Sequence, residues 1–407
     1  SAIVDGVPVI VDPSGKKYEN IVPSLKEVIA FLNGDERFVA VFLQTLKSEN
    51  YFSHTKQYDD EKYEQMGEKA RTFQIPDLKI LILEHLVSIR RYEELGGSIG
   101  IGRSWTKGGM DAVAKWLGLW DDPNAKCINE GDLTKIDQSI PDVLVNMYYS
   151  SCLLYYDPSH PYYSVLKNII QFLVEEMCQR ITHLLGFIWA VICGGVSSGV
   201  LNTSHMDSWS LLFLFCLFCV HVTVVHAEMR DEIYSQMVKF IINIIVYGDD
   251  HWYVIPHGQL AALLNIFMFA KWIKKYFDMD MRDLRCGHSF LTYHRHGFPT
   301  LQGAVYLRHS AVLNHVVGER QPKYLPWRPM NEIIAKVVYG REPKPRDEWN
   351  LLLSLLGHAY GTYASNLNTY HYLRCLYSTL LSKLDTTEGY MLKRIIKHAE
   401  KDDLRKL

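Results

Sequence analysis

The sequence predicts an α+β chain of two or three folding units, and three observations carry that reading. A β-branched run over 240–256, broken by Gly-Asp-Asp, has the pattern of a hairpin. Several flanking stretches space their apolar residues as helices do. With 407 residues, 48% of them hydrophobic and 22% charged, the chain can bury a sizeable core. That composition excludes disordered, collagen-like and low-complexity classes. Lys+Arg number 43 against 45 Asp+Glu, a net charge of −2, so no global basic field exists and any nucleic-acid site must be a local channel.

In chain order, residues 1–25 read as a short hairpin, with Val9-Ile10-Val11-Asp12 running into the turn cluster Pro13-Ser14-Gly15. The start lacks the basic and apolar regions of a signal peptide and lacks an initiator Met, from which we expect a processed product or a piece of a longer chain. From Ser24, a candidate N-cap, to about Lys47 the spacing predicts a helix. Residues 51–70 are polar and read as a surface segment. A second helix follows Pro76, and a Gly-rich connection from Gly96-Gly97 to Gly108-Gly109 leads to a third at Met110–Leu119. No period of 20–50 residues repeats. The eight cysteines form no paired framework, and Cys216 and Cys219 lack a second pair to complete a zinc site, which points to a reducing compartment.

Between Ile181 and Ala227 only Asp207 is charged, and Ser208–Ala227 is long enough to cross a bilayer. Ser208, Ser210, His221, Thr223 and His226 interrupt that window, and neither flank carries a Lys/Arg cluster. The run therefore reads as a buried core helix and not as a membrane span.

Three patterns carry chemistry. In Gly131-Asp132-Leu133-Thr134-Lys135-Ile136-Asp137 two carboxylates lie five apart, where a strand runs into a turn or helix. Gly194–Ser208 is a Gly/Ser loop leading into a helix that opens with Asn202, Thr203, Asp207 and Ser208. Tyr247-Gly248-Asp249-Asp250 tips the hairpin with two adjacent carboxylates. Like charges held side by side repel, which makes a cation their natural companion. Mg²⁺ suits one or two carboxylates plus substrate phosphates. Asp132 added to the hairpin tip would give three acids able to hold two ions about 3.5–4 Å apart, the clamp for in-line phosphoryl transfer.

Joined in this order, the three segments resemble motifs A, B and C of viral RNA-dependent RNA polymerases of the picornavirus-like supergroup. Asp137-Gln138-x-Ile140-Pro141 and the pair Asp207-Ser208 look most like the partitivirus and picobirnavirus branch. Glu68-Lys69-Ala70-Arg71 resembles motif F, the helix around Leu263–Tyr276 motif D, and Ser289-Phe290-Leu291 with Arg295 the motif E primer grip.

The resemblance implies a right-hand fold with fingers, an antiparallel-sheet palm and a helical thumb. It divides the chain into fingers at 1–130 (motif F near 67–76), palm motif A at 131–160, a fingers insertion at 161–190, palm motifs B to E at 191–305 and thumb at 306–407. It implies Asp132, Asp249 and Asp250 as catalytic and metal-binding acids for two Mg²⁺ ions, with Mn²⁺ as a substitute. Lys69, Arg71, Asp137, Ser198, Gly199, Asn202, Thr203 and Asp207 would contact the nucleotide, and Phe290, Leu291 and Arg295 the primer or RNA. Asp137 stands where reverse transcriptases place a bulky aromatic, so the implied substrate is a ribonucleotide. The family's Lys acid in motif D has no clear counterpart; Lys271, Lys274 and Lys275 read as a solvated helix face, and that role is unassigned. Implied partners are template and product RNA, ribonucleoside triphosphates, and capsid or other replication proteins, in the host cytoplasm inside a particle or replication complex. The competing readings are a reverse transcriptase and an inactive polymerase-fold RNA-binding scaffold. Only 68 residues precede Lys69, fewer than a full N-terminal fingers region has, which leaves a compact enzyme or a piece of a longer product.

Overall fold

The structure, a computed structural model, describes residues 2–4, 7–9, 21–52, 66–93, 97–105, 108–184, 188–295, 298–314, 322–339 and 348–383. The chain forms two compact units, Ser1–Gly102 with Lys126–Gly287, and Arg103–Ala125 with His288–Leu407.

The first unit is built on a four-stranded sheet in the order Met281–His288, Lys126–Leu133, Asp250–Pro256, Asn243–Tyr247. Its last three strands pair antiparallel, with Ile128 opposite Val254 and Ile245 opposite Trp252. Ile244, Ile245, Val246, Trp252, Tyr253, Val254 and Ile255 are all buried, so the hairpin is covered on both faces and its continuous apolar run is explained. The helix Thr203–Val225 packs against it, with Phe215 against Tyr253 (ring centroids 4.6 Å) and Phe218 against Phe269 (5.2 Å). Each such fully buried side chain contributes roughly 1.5–3 kcal/mol. Among the described residues this is the one helix long and apolar enough to cross a bilayer, and half of its most apolar window is buried, the packing of a core helix. The helix Ile266–Phe277 covers the same core, begun by an Asn265 cap whose Oδ1 accepts the Met268 N–H at 3.0 Å.

A second sheet in this unit orders Met66–Ile75, Phe42–Phe52, Gln179–Leu184 and Ile188–Cys193, with one parallel pair, Phe42 opposite Thr182. Two expectations fail here. The helix expected from Ser24 to Lys47 spans Ile21–Asn33 and stops at Gly34, whose N–H bonds Phe31 O (3.1 Å) while Asp35 N–H bonds Ala30 O (2.9 Å). That closure ends a helix whatever the apolar spacing beyond it. Past it Val39 is 62% exposed, Ala40 and Phe42 are 0% and Leu43 is 48%, the period-two burial of a strand. Of the polar segment expected at 51–70, the described residues 51–52 and 66–70 are ladder, in a pairing that runs from Leu43 opposite Ile75 to Phe52 opposite Met66, and 53–65 lie outside the described residues. A ribbon held by main-chain bonds needs no apolar alternation, so composition did not reveal it. The N-terminal hairpin also differs, pairing Ala2–Val4 with Val7–Val9; the turn expected at Pro13-Ser14-Gly15 lies outside the described residues.

In the second unit the helix Gly109–Leu117 carries the buried Asp111, whose Oδ1 accepts from Trp120 Nε1 (2.8 Å), Lys323 N (3.0 Å) and Tyr324 N (3.2 Å). That carboxylate ties Arg103–Ala125 to the ribbon Ser310–Leu313/Tyr324–Trp327. The helices expected near 349–359 and 370–384 are present as Glu348–Thr362 and Leu367–Lys383, packed through Leu352, Leu355, Leu373 and Tyr377. The tail expected to be amphipathic at 393–407 lies outside the described residues.

Candidate active site

Strand Lys126–Leu133 brings Asp132 opposite Asp250, one position from the turn of the neighbouring hairpin. That turn holds two residues between the paired Tyr247 and Asp250, and Gly248 takes φ 63°, the left-handed value such a turn needs at its first central position. The turn is gripped from the helix Thr203–Val225, where Ser208 Oγ accepts the Gly248 N–H at 2.8 Å and donates to Ser204 O at 2.6 Å. On the other edge Val246 exchanges main-chain bonds with Ser98 and Gly100. The tip is therefore fixed by groups far apart in sequence.

The Asp132 carboxylate lies close enough to act on that of Asp249. Burial, then the Asp132 charge, pushes the Asp249 carboxyl up to about 6. Arg282 donates from Nε to Asp132 Oδ2 at 2.8 Å. Beneath the turn His251 is buried, its Nδ1 3.3 Å from Asp249 O, and burial lowers it to about 4, so it is neutral at pH 7. The structure thus places Asp132 close to Asp249 and opposite Asp250 on the neighbouring strand. Among the described residues no group of three or more His, Cys, Asp or Glu is gathered as a metal site. Two neighbouring carboxylates that supply oxygen donors nevertheless fit a hard divalent ion.

Asp207 is buried beside this pair, and its carboxyl is raised well above the usual range by burial, then by the charges of Asp137 and Asp249. Its Oδ1 has no hydrogen-bond partner among the described residues. Asp137 lies on the short helix Ile136–Ser139, and its carbonyl accepts the Val196 N–H from the Gly194–Asn202 loop.

That loop is clasped on every side. Ser198 Oγ accepts the Gln74 N–H at 3.2 Å, and a Cβ on Gly199 would lie 2.1 Å from Gln74 O, so only glycine fits there. Thr203 Oγ1 donates to Ser197 O (2.7 Å) and Val200 O (2.9 Å), which commits it to the loop. Asn202 is fully buried with its amide on Glu84 Oε1 (3.3 Å) and Ser88 Oγ (2.8 Å). Asn202 and Thr203, expected at the nucleotide, are therefore engaged within the protein.

Sequence reading gave no role to three residues here. Glu84, on the helix Leu78–Glu93, is fully buried and accepts from Tyr149 Oη (2.6 Å), Leu201 N (2.8 Å) and Asn202. Burial raises its carboxyl to about 7 against the lowering effect of those donors. Arg180, also buried, donates to Gly195 O (2.9 Å) and Gly194 O (2.6 Å). Arg282 is the third. Only the isolated acid within an apolar helix pattern at Ile80–Val87 could have drawn attention to Glu84.

Lys69 and Arg71 lie on strand Met66–Ile75 opposite Glu49 and Lys47; their side chains are outside the described residues, as is that of Arg295. Phe290 and Leu291 are buried in the second unit, Phe290 edge-on to Tyr324 at 5.2 Å. Lys274 pairs with Asp278 (2.7 Å) and Asp280 (3.1 Å) at the end of its helix, as a solvated face does.

The antiparallel sheet carrying acids at a strand end and a hairpin tip, backed by two helices, is a polymerase fold of the mixed α+β class. Among solved structures it is similar to the Sicinivirus 3Dpol RNA dependent RNA polymerase, with a TM-score of 0.56 and 13% identity over 88% of this chain. The chain spans 66% of that polymerase's length, and at this identity the likeness is one of fold. No protein-family model and no curated protein sequence matches the chain.

Proposed function

We propose that the chain is a viral RNA-directed RNA polymerase that extends an RNA strand from ribonucleoside triphosphates, with Asp132 and Asp249 as its catalytic, metal-holding pair and Asp250 assisting. The observation that carries this reading is the contact between the first two carboxylates, delivered by a strand end and a hairpin tip. Two like charges held close together are unfavourable unless a proton or a cation offsets them. Two Mg²⁺ ions, or Mn²⁺ in their place, would neutralise the triphosphate and lower the pKa of the primer 3′-hydroxyl.

The chain's own residues do the positioning, which is most of the work in phosphoryl transfer. Asp132 and Asp249 would supply carboxylate oxygens to the ions. Ser208 holds the Gly248 turn in register with them. Asp207, with an unpartnered oxygen, and Asp137 accept and orient the ribose 2′-hydroxyl beside the Ser198-Gly199 loop. A site that pairs a hydroxyl discriminates strongly against the analogue without it. Lys69 and Arg71 bind the triphosphate, and Phe290, Leu291 and Arg295 support the primer side.

In this reading fingers comprise 1–130 and 161–190, palm 131–160 and 191–305, and thumb 306–407. Asp137-Gln138-x-Ile140-Pro141 and Asp207-Ser208 align the chain with the partitivirus and picobirnavirus branch. Its partners are template and product RNA and capsid or replication proteins, and its workplace is the host cytoplasm, in a particle or replication complex.

The test is incorporation on a primed single-stranded RNA template with ribo- or deoxyribonucleotides, in Mg²⁺ and Mn²⁺, beside Asp249→Ala. Ribonucleotide incorporation lost in the variant is expected. Preferential deoxyribonucleotide use would assign reverse transcription, and RNA binding without incorporation would favour a scaffold.

A further inference from the structure

The carboxylate pair has a third member whose chemistry differs from theirs. Arg282 lies on strand Met281–His288, the sheet edge beside Lys126–Leu133. Its Nε and Nη2 both lie 2.8 Å from Asp132 Oδ2. Three local features aim it there. Thr134 N–H bonds Asp280 O at 2.8 Å, which aligns the two segments. Met281 Sδ packs over Gly131, only 3.0 Å from where a Cβ would stand, so a side chain at that position would push the edge strand away. Asp283 takes φ 54°, which offsets the strand's alternation, and Arg282 and Arg285 both reach acids, Asp132 and Glu130, two apart on the neighbouring strand.

The guanidinium is 56% exposed and Asp132 25%, so the pair is open to water and easily exchanged. A guanidinium has no lone pair to offer a metal and does not deprotonate in proteins. It therefore cannot ligate a cation, and its own positive charge repels one at that oxygen, so the two compete for Asp132.

We propose that Arg282 is a positioning residue that keeps the cation's place at Asp132. It neutralises and aims the carboxylate when no divalent ion is bound and leaves Oδ2 when an ion enters, so it sets the affinity of the site. This rests on the reading of Asp132 and Asp249 as metal-holding residues.

The experiment is a calorimetric titration of the full chain with Mn²⁺, without nucleotide or RNA, for wild type, Arg282→Gln and Lys274→Gln. Alongside it, the Arg Nε–Hε resonances are followed by NMR, with Arg282 assigned by its loss in Arg282→Gln. Exposed ion pairs are weak, so Arg282→Gln should bind Mn²⁺ roughly two- to five-fold tighter. The wild-type Arg282 signal should shift as the ion binds. Lys274→Gln removes the same unit of charge from a side chain paired with Asp278 and Asp280, and should bind as wild type does. Equal tightening in both variants, or wild-type binding unchanged in Arg282→Gln, would overturn the proposal and leave the metal-holding pair standing. Binding in none of the three chains would overturn both.

Discussion

Two carboxylates of the first unit, the buried Glu84 and the more exposed Asp249, sit in opposite circumstances. Glu84 is saturated: a tyrosine hydroxyl, a main-chain N–H and an asparagine amide all donate to it, and it joins the helix Leu78–Glu93 to the Gly194–Asn202 loop. Asp249 has another carboxylate beside it, and Arg282, which acts on it, binds Asp132 from an exposed position. Both carboxyls are raised, to about 7 and about 6, and burial is the first cause in each. What differs is the partner. Donors that cannot leave make Glu84 part of the scaffold, whereas the Asp132–Asp249 pair is met only by a detachable guanidinium, the setting that the proposed cation would require.

The contrast breaks first on activity. Asp249→Asn should lower nucleotide incorporation by about 10³-fold or more, since a metal clamp supplies several kcal/mol and each 1.36 kcal/mol is tenfold. Its urea midpoint should equal or exceed that of wild type, because a like-charge contact is removed. A large loss of stability would instead make Asp249 a structural residue.

Glu84→Ala should do the reverse and cost about 3 kcal/mol in urea unfolding, by leaving the Tyr149 hydroxyl and the Leu201 N–H buried without an acceptor. An unchanged midpoint would mean those donors find water. Gly199→Ala should cost about 2 kcal/mol, because its Cβ meets Gln74 O at 2.1 Å and strand or loop must shift.

The smallest effect is a pH slope. The Glu84 carboxyl is raised from near 4.5 to about 7, so between those values the folded chain holds a proton that the unfolded chain has lost. Its contribution to stability is present below about 4.5 and is lost as pH rises to about 7. The melting temperature of wild type should therefore fall relative to that of Glu84→Gln across this window. Parallel curves would show that the group does not titrate there.

Some of this was legible without a structure, because its cause is local. The run Asn243–Pro256 carries its own β-branched pattern and its own turn glycine, and Asn265 caps the helix that follows. The helix Thr203–Val225 is recognisable from twenty uncharged residues, and the acids at 132 and 249 from motif order. The strand Phe42–Phe52 was not legible, since its register comes from Met66–Ile75 and Gln179–Leu184 and not from its own spacing. Nor were the expected nucleotide contacts at Asn202 and Thr203, whose polar groups turn inward onto Glu84, Ser88 and loop carbonyls.

By itself, then, the sequence determined which residues carry charge at the site, where the hairpin and its acidic tip fall, and which helix must be buried. Periodicity and turn chemistry act over a few residues and can be read from them. Tertiary structure alone decided which acid is neutralised by what. Arg282 meets Asp132 across 150 residues and Asn202 meets Glu84 across 118, and such pairings follow from strand order and helix packing, which no local pattern encodes.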